Sequence, residues 1–88
     1  MFRALDRGEI KFMWIQVTNP IVTMPKLKRY RDGAKKEENF IVVSDIYPTP
    51  TTDIADLILP SAMWVEREGM YGNYERRTQY FEQMVQPP

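Results

Sequence analysis

Two short stretches of the chain, "KFMWIQV" at residues 11–17 and "NFIVVSD" at residues 39–45, are almost continuously apolar or β-branched. Both read as strands, and the near-continuous apolar run of the first predicts a strand covered on both faces. Between them, in "MPKLKRYRDGAKKEE", Leu27, Tyr30 and Ala34 recur at helical spacing among basic residues. That is an amphipathic helix, with Pro25 suited to its first turn and Gly33 weakening it without forbidding it. Ahead of the first strand, Phe2 and Leu5 have helical spacing and Gly8 is a plausible stop. The order strand, crossover, strand is a βαβ unit, and its strands should be parallel and its connection right-handed.

"IYPTPTTDIADLILP" then reads as a proline-rich loop, a short helix starting at Thr51 or Thr52, and a third short strand, "LIL", before Pro60. From Ser61 onward the pattern is loop-like, with a last strand at "RRTQYF". Gly69 and Gly72, on either side of Met70 and Tyr71, suggest a tight turn or a close backbone approach. No internal repeat or low-complexity tract occurs. The fold class is α/β, a parallel-sheet βαβ unit within one domain spanning 1–88.

Ligands of such sheets sit beyond the carboxyl ends of the strands. Three polar groups fall there: Thr18 and Asn19, Ser44 and Asp45, and the residues from Ser61 onward. Asp45 stands where an acid accepts hydrogen bonds from ribose hydroxyls or a purine edge, and it equally suits a cap on the following turn. Ser44 can donate to a phosphate or to a neighbouring carbonyl. Asn19 offers an amide donor and acceptor, or simply forms a turn before Pro20. Arg67, between Glu66 and Glu68, can pair with a phosphate or make a surface ion pair. Neither glycine-rich nucleotide fingerprint is present.

Composition narrows the chemistry. The chain has no Cys and no His, which removes thiol nucleophiles, imidazole bases and the usual zinc ligands. A chain of this length buries only about 60–65% of its unfolded surface, so a core of its own is marginal. No apolar run approaches the roughly 20 residues that span a bilayer, and "MFRALDRGEIKF" is charged where an export signal would be apolar. Net charge is zero but segregated. Residues 1–36 carry nine Lys/Arg against three acids, and residues 37–88 carry three against nine. The basic helix is interleaved with acids, which argues for a solvated face rather than nucleic-acid binding.

The ordered series of strings goes further. "NP" after the first strand and "SDIYPTPTTDIADLILPSAMWVEREGMYGNYERR", at this spacing, resemble the molybdopterin oxidoreductases of the dimethyl-sulfoxide-reductase superfamily. Within that group the likeness is greatest to catalytic subunits of periplasmic nitrate reductase. It runs from about Gly8 to the end of the chain.

The resemblance implies a segment of a larger α/β domain that binds the guanosine end of a bis-molybdopterin guanine dinucleotide cofactor carrying molybdenum. Carried onto this sequence, Asn19, Ser44, Asp45 and Arg67 are the cofactor-binding candidates, Arg67 standing where the family often has a lysine. "EGMYGN" would be a turn holding the ligand. The complete enzymes also carry a cysteine-held [4Fe–4S] cluster and, in this type of nitrate reductase, a cysteine on molybdenum, whereas this chain has no cysteine. The expectation is therefore a fragment of a nitrate reductase, inactive alone, whose partners are the remainder of the catalytic subunit and a c-type cytochrome donor in the periplasm. Neither nucleic acid nor membrane insertion is expected, and the isolated segment should self-associate through uncovered apolar faces. A formate dehydrogenase, an assimilatory nitrate reductase relative and a stand-alone α/β binding module are the alternatives.

Overall fold

The structure, a computed structural model, describes residues 1–88 apart from the side chain of Arg29. Helix α1 (Phe2–Asp6) turns Phe2 and Leu5 inward and ends near Gly8, which has φ +75. Strand β1 (Phe12–Gln16), helices α2 (Pro20–Thr23) and α3 (Leu27–Ala34), and strand β2 (Phe40–Asp45) follow. A single 3-10 turn, Thr52–Ile54, leads into β3 (Leu57–Pro60). After a second 3-10 turn, Trp64–Glu66, the chain forms a hairpin of β4 (Gly69–Gly72) and β5 (Thr78–Phe81).

β1, β2 and β3 form a parallel sheet in the order β1-β2-β3, and β4 and β5 pair antiparallel as a separate ribbon. This is the expected α/β architecture with an antiparallel ribbon added. Because the strand order never reverses, right-handed crossovers fall on one side of the sheet. The core shows it: Phe2 and Leu5 of α1, Ile21 of α2, Tyr30 and Ala34 of α3, and Ile54 pack with Met13, Ile15, Ile41 and Val43.

The opposite face is open along β1 and β3, which corrects the expectation that the first strand is covered on both sides. Burial in β1 alternates, with Met13 and Ile15 buried and Phe12, Trp14 and Gln16 exposed. β3, an edge strand, is exposed throughout, and only an edge tolerates Pro60, which has no N–H to donate. The central strand β2 is buried on both faces from Ile41 to Ser44.

Two prolines also exchange roles. α3 starts at Leu27, after Lys26 at φ 59, so Pro25 lies ahead of the helix rather than in its first turn. Pro20 instead opens α2, and Asn19 before it has φ −119 and ψ 69, outside the helical region as a pre-proline residue must be. Gly33 sits at a close approach, because a Cβ there would stand 3.0 Å from Asp6 Cα where α1 lies against α3. Asn39 ties the layers together: its buried Nδ2 donates to the carbonyls of Gly33 at 2.7 Å and Leu5 at 3.4 Å.

"EGMYGN" is not a turn. Gly69 and Gly72 bound strand β4, and the reversal is made downstream at residues 73–77. There Asn73 Oδ1 accepts from the Glu75 and Arg77 amides at 3.0 and 3.2 Å, with Arg76 in the left-handed region at φ 60. Asparagine supplies this kind of side-chain-to-backbone closure, and the glycines have another purpose. The Phe81 ring sits where a Gly69 Cβ would be, its Cζ only 2.8 Å away, and it stacks on Tyr71 at 4.3 Å.

Candidate functional site at the carboxyl edge of the sheet

Parallel pairing brings the ends of β1, β2 and β3 to one rim, with Gln16 level with Ser44 and Ser44 level with Leu59. Val17 leaves β1 at φ 60 while its amide reaches the Ser44 carbonyl at 3.4 Å. A β-branched residue in that region is strained by about 1–3 kcal/mol, and such strain gathers at ligand-binding edges. The chain then delivers Asn19 to the loop that follows β2. Asn19 Oδ1 accepts a short hydrogen bond from Thr51 Oγ1, and Thr51 Oγ1 in turn accepts from the Ile21 amide at 3.3 Å. The Asn19 amide nitrogen has no partner among the described residues and remains a free donor pair.

Asp45 ends β2. Its Oδ1 accepts from the Ile46 amide at 2.7 Å, which ties the carboxylate to the backbone of the following residue. Its Oδ2 makes no hydrogen bond among the described residues, so the capped carboxylate keeps an acceptor to spare. The Asp45 carbonyl meets the Ser61 amide at 3.0 Å, which carries the backbone across to the end of β3. Asp45 lines a cleft of about 150 Å³ with Ile46, Tyr47, Pro48, Thr52, Ile58 and Pro60. Ile46, Tyr47 and Pro60 are shared with a second hollow of about 390 Å³, continued by Ser61, Ala62, Met63, Glu66 and the two terminal prolines.

Asn19 and Asp45 thus flank one loop. Asn19 holds it through Thr51, and Asp45 shares the smaller cleft with Thr52. The loop is rigid for a local reason: Thr52 Oγ1 accepts from the Thr49 amide at 2.8 Å and donates to the Thr49 carbonyl at 2.7 Å. Sequence reading marked the threonines only as a helix start, and it passed over Tyr47, whose exposed ring borders both hollows. A T-P-T-T run after an acidic strand end was the available signal.

Ser44 and Arg67 stand apart from this pair. The Ser44 side chain is buried and its Oγ accepts from Trp14 Nε1 at 2.9 Å, so its hydroxyl serves the sheet face. Arg67 follows the second 3-10 turn with extended backbone, exposed, and lines neither hollow; its guanidinium has no partner among the described residues. Nearby, the Tyr80 hydroxyl donates to Glu68 Oε2 at 2.9 Å, and that bond holds the phenol above its ordinary range.

Two further observations bound the chemistry. Among the described residues, no group of three or more His, Cys, Asp or Glu side chains is placed to hold a metal ion, and no helix is long and apolar enough to cross a membrane. A separate depression of about 620 Å³ is lined by Asp6, Lys26, Leu27, Lys28 and Asp32, none of them a strand-end residue. What the rim offers is one spare carboxylate oxygen, one free amide group and an aromatic wall. In the comparison against family models, the molybdopterin oxidoreductase family matches residues 1–88. The chain belongs to the molybdopterin oxidoreductase family.

Proposed function

We propose that this chain is a segment of a molybdenum-dependent nitrate reductase, reducing nitrate to nitrite, and that it grips the guanosine end of a bis-molybdopterin guanine dinucleotide. The observation that carries the reading is the half-satisfied Asp45 carboxylate facing a cleft at the carboxyl edge of β2. Guanine presents two adjacent N–H donors on one edge, and a carboxylate with a free oxygen is their natural acceptor. Asn19 is placed to bond a ribose or phosphate oxygen through its free amide, and Tyr47 offers a ring beside the same cleft. Arg67, which lines neither hollow, would meet the phosphates from outside them, through a guanidinium that has no partner among the described residues. Ser44 acts as a support, holding Trp14, more than as a direct contact.

The smaller cleft is below the 300–1,000 Å³ or so of a complete ligand site, which fits a segment supplying part of a pocket. The cofactor, when bound, supplies the molybdenum at which oxygen-atom transfer takes place; the residues of this chain bind and orient it. The likeness to periplasmic nitrate reductases supports nitrate as substrate, a c-type cytochrome as donor, and a [4Fe–4S] cluster held by cysteines beyond this segment.

The test uses guanine and inosine nucleotides, which differ by the single exocyclic amine. Titrated into the chain and followed by NMR, GDP is expected to bind in the millimolar range and about tenfold tighter than IDP. Asp45→Asn removes that preference, and Asp45→Lys in the complete enzyme lowers its molybdenum content. Equal affinity for GDP, IDP and ADP would exclude a guanine contact by Asp45.

A further inference from the structure

Tyr47 is the aromatic wall of the Asp45 cleft, and its own neighbours leave the ring loose. It is 60% exposed, and among the described residues it has neither a ring partner nor a hydrogen bond from its hydroxyl. The proline that follows restricts its backbone but does nothing for the side chain. A ring that stacks on a base needs a support behind it, because every torsion frozen on binding costs affinity.

The arm brings such a support. The segment after β5 is tied to the second 3-10 turn by the Met84 and Val85 amides, both on the Val65 carbonyl at 2.8 and 3.1 Å. Just beyond this anchor, Pro87 and Pro88 line the hollow of about 390 Å³, together with Ile46, Tyr47, Pro60 and Met63. Tyr47 lines both this hollow and the Asp45 cleft of about 150 Å³, so it stands with Ile46 and Pro60 in the partition between them. Proline has no N–H, so Pro87 and Pro88 cannot extend the backbone bonds of the anchor; what they bring to the hollow is apolar ring surface. Their φ is already fixed, which makes them inexpensive to order, and aromatic side chains are the usual seat of such proline pairs. The hollow does not suit a diphosphate instead. Among the described residues no Lys or Arg lines it, and its one carboxylate, Glu66, is bonded to the Met63 amide at 2.7 Å.

We infer that Pro87 and Pro88 brace Tyr47 from the larger hollow and so hold its ring as the stacking surface for a base entering the cleft. Tyr47 makes the contact, and the two prolines are positioning residues that act through it. The inference rests on the reading of that cleft as a base site, but not on the guanine preference assigned to Asp45, because stacking accepts any base. It also gives the ribbon a use. The β4–β5 hairpin is what turns the chain back so that its return segment reaches Val65 and the hollow.

NMR of the full chain tests the brace first without ligand. Ring currents from Tyr47 should move the Pro87 and Pro88 proton signals upfield of their random-coil positions, and Tyr47→Leu should return them. Titrations with GDP, ADP and ribose 5-phosphate then test its use. Tyr47→Leu should weaken both nucleotides about tenfold and leave the base-free sugar phosphate unchanged. Pro87→Gly combined with Pro88→Gly should weaken both nucleotides about threefold, again sparing the sugar phosphate. The same glycine pair should cost nothing further when Tyr47 is already leucine, and the amide spectra of the variants should otherwise match wild type. Proline signals at random-coil positions in the unaltered chain, nucleotide affinities untouched by the glycine pair, or an equal loss for ribose 5-phosphate would overturn the inference. Equal affinities for GDP and ADP that fall together in the glycine variant would uphold it while refuting the guanine contact of Asp45.

Discussion

Asn39 shows how much one side chain can organise in a small core. Its Nδ2 bridges the carbonyls of Leu5 at the end of α1 and Gly33 in α3, while its buried Oδ1 has no partner among the described residues. Asn39→Ala strands both carbonyls and is expected to cost about 1–3 kcal/mol, or roughly 4–8 °C of Tm per kcal/mol for a chain this size. Asn39→Asp should cost more, since it sets a carboxylate against two carbonyl oxygens where a donor stood. Thermal melts of the two variants check the order; an aspartate variant as stable as wild type would mean that the amide bonds are not formed. Nothing in "EENFIVV" distinguishes this asparagine from a polar residue ahead of a strand. The strand-end residues were legible because parallel strands must end on one side, whereas Asn39 is defined by two helices whose relative placement no local pattern encodes.

At the level of elements, helices and parallel strands followed from periodicity, and the last strand was read at "RRTQYF", but its partner β4 was not. Met70 and Tyr71 between two glycines read as a turn because glycine is the commonest turn signal, yet here it makes room for a ring. The two glycines separate the explanations. A Cβ at Gly69 meets Phe81, and a Cβ at Gly72 meets nothing within 4 Å. Gly69→Ala should push Phe81 off Tyr71 and weaken the ribbon by about 1 kcal/mol. Gly72→Ala should be neutral or slightly stabilising, because alanine restricts the unfolded chain. Amide exchange of residues 69–81 reports both, with protection falling about fivefold in the first variant only; equal effects would show that the ring contact is not what the glycine serves. The bare sheet face was missed for a related reason. "KFMWIQV" is apolar on both faces, and composition alone cannot tell a face covered within the chain from one covered by something else.

For the whole molecule, the consequence is a body and an arm. A compact chain of this length has a radius of gyration of about 12 Å, and the observed value is 16.0 Å, with extents of 42 × 33 × 20 Å. The apolar core ends, in sequence, at Ile54. β3 belongs to the body because it closes the sheet: Asp56 and Ile41 exchange two bonds, amide to carbonyl at 2.8 Å and amide to carboxylate at 2.7 Å. The ribbon pairs only with itself, and its return segment is anchored through the Met84 and Val85 amides on the Val65 carbonyl, at 2.8 and 3.1 Å. Deleting residues 63–88 should therefore leave a cooperative melt within about 0.5 kcal/mol of the full chain, as for changes remote from a core. Deleting residues 56–88 should abolish the melt, because β2 then loses one of its two partner strands and becomes an edge, and Val42 and Val43 lose their cover on that side. Both measurements belong at concentrations where the chain is monomeric, so that burial between copies does not mask the loss. If the shorter deletion unfolds the chain, the arm is part of the folding unit, and the larger hollow behind Tyr47 is held in place by the body's own stability.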